Sequence, residues 1–512
     1  MSTSFGVVET RWPSSDLYAT RARRGVIAIG MFALALAAAY ATAIVATESE
    51  PLLVAPLVAS VIAILVIAHP VVGVYLLFAA ALLFEQFPIT GLDPITAQSH
   101  IFQNVSAYTP LPIRLSLADL LMALTGAGLI VRRLSRPADG LRLGPLGWGI
   151  AAYASAFALS GVIGAARGAM DVEIALNEMR APLELCAVYF LATNLVRDRG
   201  QLTVLVWTFV AIVGVKALQG ILNYQDAPGW SAYDASAVTG HEDVVFFDTA
   251  IALAVVMAVI GIRSKLFIVL LALQPLILTA LFLDQRRTAF IALGAVLLVL
   301  TLLVLFASPR RGMVLAGVAA LAFGSYVVLF WDASGPIAEP IRAVRGVVDA
   351  SSVSTRDQSS NAWRKIENHN IAFTMRQVPL TGVGLGQRYM FHEQPPPLYD
   401  FIYWQYITHN ALLWLWLKAG PFAAFALWFV VARALLLGSA IFARGGDRRI
   451  RWIAALPVAL VVSQVLFSSV DLGLTYSRSM IVLGTALGFM ACLVEIAASR
   501  ASRPIVLVGG AR

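Results

Sequence analysis

Residues 266–306 read LFIVLLALQPLILTALFLDQRRTAFIALGAVLLVLTLLVLF. Two apolar runs, Leu266–Leu283 and Thr288–Phe306, flank the polar break Asp284-Gln285-Arg286-Arg287. Each run is long enough to cross a hydrocarbon core of about 30 Å as an α-helix. The break falls where the chain turns at a membrane surface. Runs of this kind recur along the chain. They predict earlier spans near Gly25–Thr47, Leu52–Ala68, Val71–Phe87, Leu115–Val131, Leu146–Ala166, Ala181–Val196, Leu202–Leu222 and Phe246–Ile262. Later ones fall near Val314–Trp331, Asn410–Val431, Ile453–Val470 and Met480–Ala497.

Composition excludes the other classes. Of 512 residues, 59% are hydrophobic and 13% charged, which no soluble domain of this length matches. Short alternating strands are missing, so a membrane β-barrel is not expected. Cys186 and Cys492 both lie in apolar runs and suggest neither a disulfide framework nor a metal site. The run after Arg23-Arg24 is long and lacks a convincing cleavage site, so it reads as a first span, not a signal peptide. The expected fold is an all-α polytopic membrane protein with about 12–14 transmembrane helices.

With the N-terminus inside, the short loops on one side carry Arg132, Arg133, Arg197, Arg199, Arg263, Lys265, Arg310, Arg311, Arg444 and Arg448. This positive-inside pattern holds along the whole chain and explains the net charge of +8 without nucleic acid. The basic residues on the other side run against the bias: Arg180, Lys216, Arg286, Arg287, Arg364 and Lys418 among them. Five of the six histidines lie there too. The expected organisation is residues 1–331 as membrane helices, 332–409 as a long outer, periplasmic loop, and 410–512 as the last three helices and tail. The long loop is rich in aromatics and is expected to be ordered, with helix around Ala362–Met375.

Several groups of residues carry chemistry. His409-Asn410 stands where an apolar helix begins: an imidazole there can deprotonate a hydroxyl, and Asn410 can orient it or cap the helix. Arg286 and Arg287 offer planar donor forks that suit a diphosphate, or pair locally with Asp284. Arg180 lies near Glu178 and Glu184, so an ion pair and substrate binding are both open. Lys216 and Lys418, within helices, either snorkel or serve function. Gly382, Gly384 and Gly386 form a turn that shapes the site; no βαβ unit surrounds them to support a nucleotide loop. His241-Glu242-Asp243 lacks metal-ligand spacing and reads as a solvated loop.

The segment from Arg364 through PLTGVGLG (379–386) to THNALLWLWLKAGPF (408–422) resembles the signature of the O-antigen ligase and O-antigen polymerase superfamily. QRRTAF resembles that family's arginine motif, with Arg287 the closest match. Two positions depart from it: Lys418 stands near a frequent Glu, and Ala423–Ala424 replaces a second glycine. The resemblance implies a membrane glycosyltransferase of GT-C-like fold that is inverting, metal-independent and without cofactor. Its donor would be an undecaprenyl-diphosphate-linked glycan, and its acceptor a glycan or lipid-anchored sugar. His409 and Arg287 would be catalytic; Arg286, Arg180, Arg364, Lys216, Asn410, Gly384 and Gly386 would bind substrate. The site would face the periplasm from a bacterial inner membrane. A polymerase of the same superfamily is the alternative; a polysaccharide-lipid flippase is a more distant one, since no internal repeat is seen.

Overall fold

The computed structural model describes residues 54–501 apart from 90–91, 93, 136–139, 227–236, 334, 349–354, 399–400, 402 and 445–446. The chain divides after His69. The first unit contributes one described helix, α1 (Val54–Ala68). The predicted span Gly25–Thr47 lies outside the described residues.

The second unit begins with α2 (Pro70–Leu83), α3 (Leu117–Ser135), α4 (Gly147–Ala166), α5 (Val172–Leu195), α6 (Arg199–Asp226) and α7 (Asp243–Ile260). It continues with α8 (Lys265–Leu283), α9 (Arg287–Ala307) and α10 (Pro309–Phe330). Then come α11 (Glu339–Val348), α12 (Thr355–Gln377), α13 (Ala411–Arg444), α14 (Arg448–Ser468) and α15 (Ser477–Ala501). Nine of the described helices are long and apolar enough to cross a membrane: α4, α6 to α10 and α13 to α15. The helices α1 and α2 are apolar but shorter, while α3 and α5 have the length and carry more charge. Each predicted span from Leu52 onward thus coincides with a helix in a polytopic, all-helical membrane protein.

Two boundaries differ most from expectation. Helix α5 starts at Val172, not near Ala181, because the Asp171 carboxylate caps it by accepting from the Ile174 N–H at 3.1 Å. Its polar first turns then become helical and carry Glu178 and Arg180. Helix α13 runs on to Arg444, past the predicted end at Val431.

Lipid and protein select different faces. Helix α7 is 83% buried and lies at the centre, packed on α8, α9 and α14. The most apolar stretch of α10 has no buried residue; Val318, Leu321, Val328 and Leu329 point outward, as apolar side chains do where the solvent is a bilayer. Helices α5 and α15 approach most closely through Gly484 and Gly488, where added Cβ atoms would stand 2.8 Å from the carbonyl oxygens of Leu185 and Tyr189.

Side-chain contacts join the loops into two sets, one at each end of the bundle. At the arginine-rich end, Arg142 pairs with Glu495 at 2.6 Å and Arg199 with Asp447 at 3.0 Å. The other end gathers the loops after α2, α4, α6, α8 and α14 with α12 and the start of α13. All the candidate site residues belong to this end or to helices entering it.

Candidate active site

The Gly-rich turn and the start of α13 form one unit. Helix α13 breaks at Gly420 (φ 71°, ψ −176°), followed by Pro421. Proline has no N–H, so the Leu417 carbonyl loses its helical donor. The turn replaces it: Val383 N–H donates to Leu417 O at 2.7 Å and Gly384 N–H to Lys418 O at 3.1 Å. Ser160 Oγ adds a second donor to Lys418 O at 2.8 Å. The turn's glycines have φ of 64°, 90° and 68°, and a Cβ on Gly384 would meet the Gly164 backbone nitrogen at 2.4 Å. Gly384 and Gly386 therefore let the turn lie directly against α4 and α5.

Beneath the turn, Lys418 and Glu178 are fully buried and 2.8 Å apart. Lys418 Nζ also donates to Gln387 O at 2.5 Å, and Glu178 Oε2 accepts from the Gly386 N–H at 2.7 Å. Lys418 neither snorkels nor faces the site. The departure at this position is balanced by an acid on another helix.

His409 sits just before α13. Asn410 caps that helix, its Oδ1 accepting from the Leu413 N–H at 3.0 Å. The imidazole lies outside the helix with its side chain 23% exposed. Glu367 of α12, 1% exposed, reaches it with both oxygens. Oε2 accepts from the His409 backbone N–H at 3.1 Å, and Oε1 lies 3.2 Å from Nδ1. Trp363 meets the ring edge-on at 5.1 Å and Phe401 at 6.1 Å. Trp363, Glu367, Asn370, Ile371 and Thr374 make the buried stripe of α12, at helical spacing. Asn370 holds the aromatic loop by accepting from His392 N–H and Glu393 N–H at 2.8 and 2.9 Å. Arg364 stands on α12 one turn before Glu367 and is half-buried.

The arginine break joins this assembly through Asp471, in the loop between α14 and α15. Arg286, the N-cap residue of α9, has Nε 3.2 Å from Asp284 and Nη1 3.9 Å from Asp471. Asp284 is fixed in turn by the N–H groups of Val238 and Thr239, at 3.1 and 3.2 Å. Burial pushes the Asp284 carboxyl up; Arg286 opposes this. Asp471 also meets His241 Nδ1 at 3.4 Å and Tyr476 Oη at 3.2 Å, accepts from the Leu472 N–H at 2.7 Å and, through its carbonyl, from the Ala411 N–H at 3.4 Å. Burial raises the Asp471 pKa, but the His241 hydrogen bond and charge and the Arg286 charge outweigh it and hold the group below the usual carboxylate range. One carboxylate residue thus connects Arg286 to the backbone two residues from His409. Arg287 follows as the half-buried first residue of α9.

The remaining candidates lie elsewhere. Arg180 is in the third turn of α5, with Nε 3.3 Å from Asp119, and it donates to Asn104 and to the Arg114 carbonyl. It lines a cavity of about 220 Å³ with Asn104, Ser106, Arg114, Glu173 and Asn177. Asn177 reaches Tyr403 Oη at 3.4 Å, and Tyr403 packs on Phe401, so an aromatic pair separates this cavity from His409. Lys216 is 2% exposed, ten residues from the end of α6, and is held by Glu85 and by Asp243 at 3.3 Å. Asp243 and Glu242 each bind Arg478 at 2.6 Å. Lys216 therefore belongs to a buried ion network, and His241-Glu242-Asp243 splits between two sets of partners.

With both the arginine break and the His409 assembly described, the comparison with known families is direct. Residues 267–429 match the family model of O-antigen ligase. The O-antigen ligase match runs from α8 through the arginine break, α12 and the Gly-rich turn into α13, so it contains Arg286, Arg287, Arg364 and His409. Arg180 and Lys216 lie outside it. No curated protein matches the chain. A match to the O-antigen ligase family model in a multi-pass membrane protein supports a ligase- or polymerase-like, glycosyltransferase-like activity in polysaccharide biosynthesis, and that family implies lipid-linked glycan substrates.

Sequence reasoning missed Glu367, Asp471 and the role of Glu178. For Glu367 a signal existed: it shares a helix face with Trp363 and Ile371, and an acid buried beside them needs a partner. Asp471 sits in a short loop that gives no local sign of what it meets.

Proposed function

We propose that the protein is an inverting glycosyltransferase that moves a glycan from an undecaprenyl-diphosphate donor to an acceptor hydroxyl. The observation that carries this reading is the link from Arg286 through Asp471 to the start of α13, beside His409. It sets a cationic loop and an imidazole at one end of the bundle. The acceptor oxygen would form a bond to the anomeric carbon as the bond to the diphosphate breaks, its electron pair leaving on the diphosphate. The acceptor's proton passes to His409. Arg286, Arg287 and Arg364 supply positive charge for the leaving group, so the scheme calls for no metal. Arg180 would serve the same glycan from its own cavity. The arginine-rich loops of the opposite end support a site on the periplasmic side of an inner membrane.

The test uses purified full-length protein, a lipid-diphosphate glycan and candidate acceptors. His409→Ala should lower transfer by about 10²–10⁴-fold at equal folded yield. Undiminished transfer in that variant would overturn the assignment. Products moved to a new anchor mark a ligase, lengthened chains a polymerase, and an intact donor a flippase.

A further inference from the structure

Glu367 is spent almost wholly on one residue. It is buried, it lies on a helix that does not cross the membrane, and both oxygens meet His409, one at the backbone N–H and one at Nδ1. A buried carboxylate is costly unless it is paired, and an apolar residue would complete the α12 stripe at lower cost. An ionised carboxylate only accepts hydrogen bonds, so the ring nitrogen facing it must carry the proton. In a neutral imidazole the lone pair then lies on Nε2. Trp363 and Phe401 flank the ring, and the Asn410 cap fixes the backbone that carries it. Among the described residues the ring has one orientation and no hydrogen-bond partner at Nε2.

We propose that Glu367 is a positioning residue. It holds His409 in the Nδ1–H tautomer, leaves Nε2 free for the acceptor hydroxyl, and stabilises the imidazolium that forms when the proton arrives. This rests on the transferase reading above. In that reaction the proton goes from the acceptor oxygen to Nε2 and stays on the imidazole; Glu367 remains a carboxylate throughout.

Two measurements on the full-length protein in detergent test it. The first needs no substrate: ¹⁵N-histidine labelling reports the His409 tautomer, its signals assigned by their loss in His409→Ala. The wild type should show Nδ1–H, and Glu367→Gln, whose amide can also donate, should show a mixture of tautomers. The second is transfer kinetics. Glu367→Gln should lower kcat by at least about tenfold with the donor KM within about twofold, and Glu367→Asp should restore part of the rate. A purely structural role would lower yield or raise KM and leave the tautomer unchanged.

An Nε2–H tautomer in the wild type, or wild-type kcat in Glu367→Gln, overturns the proposal. If His409→Ala is inactive while Glu367→Gln is fully active, the positioning role fails and the transferase reading stands. If His409→Ala keeps its activity, the role of His409 in transfer fails, and the tautomer still decides whether Glu367 sets the ring. Should Glu367→Gln not fold, the wild-type tautomer and Glu367→Asp decide.

Discussion

Lys418 and Glu178 offer the sharpest test of how the Gly-rich turn is held. Both are fully buried, 2.8 Å apart, with Glu178 also bound to the Gly386 N–H. Lys418→Met keeps most of the side-chain volume and removes the charge. Glu178 is then left with one peptide donor and no cation. Breaking one half of a buried ion pair costs about 3–5 kcal/mol. At roughly 2 °C per kcal/mol for a large domain, the unfolding temperature should fall by about 6–10 °C. Lys418→Met combined with Glu178→Gln removes both charges and keeps an acceptor for Gly386, so it should recover most of the loss. The assay is thermal unfolding of the full chain in detergent, followed by tryptophan fluorescence. A Lys418→Met variant as stable as the wild type would refute the reasoning. So would a double variant that loses the sum of the two single effects, since a true pair cannot be additive.

Two further outcomes follow from the same geometry. Asp471→Asn should cost about 1.5–3 kcal/mol at neutral pH by weakening the contacts to His241 and Arg286. Because the folded-state pKa of Asp471 is depressed, its contribution is present above the ordinary carboxylate value of about 3.9 and is lost only as pH falls below it. The stability gap between wild type and variant should therefore not narrow as pH falls from about 8 to 5; a gap that closes over that range would contradict the assignment. Gly384→Ala should destabilise by at least about 2 kcal/mol, since its Cβ meets Gly164 backbone at 2.4 Å and its φ is 90°. Gly317→Ala on α10, with no atom within 4 Å of the added Cβ, is the control and should be neutral or slightly stabilising in the same unfolding assay.

Much of the candidate site was legible because membrane topology constrains charge so strongly. Arg286, Arg287, Arg364 and His409 stood out as polar residues on the side where basic ones are disfavoured, and the structure gathers them at one end of the bundle. Lys216 and Lys418 met the same criterion and have a different role. Their charges are matched by Glu85, Asp243 and Glu178, which come from other helices. Sequence can flag an intramembrane cation but cannot tell whether a distant acid is buried against it.

The sequence by itself determined where the described membrane helices fall, because each span must satisfy its own backbone polar groups. It also determined where α13 starts, since Asn410 caps it. Only the tertiary structure decided what fills the gaps those local rules leave. The orphan carbonyls of α13 go to the Gly-rich turn, Lys418 goes to Glu178, His409 to Glu367, and Arg286 to Asp471. These partners lie 34 to 240 residues apart in chain order. Buried hydrogen-bonding groups and charges must be satisfied, but which residue satisfies them depends on helix packing, which no local pattern encodes.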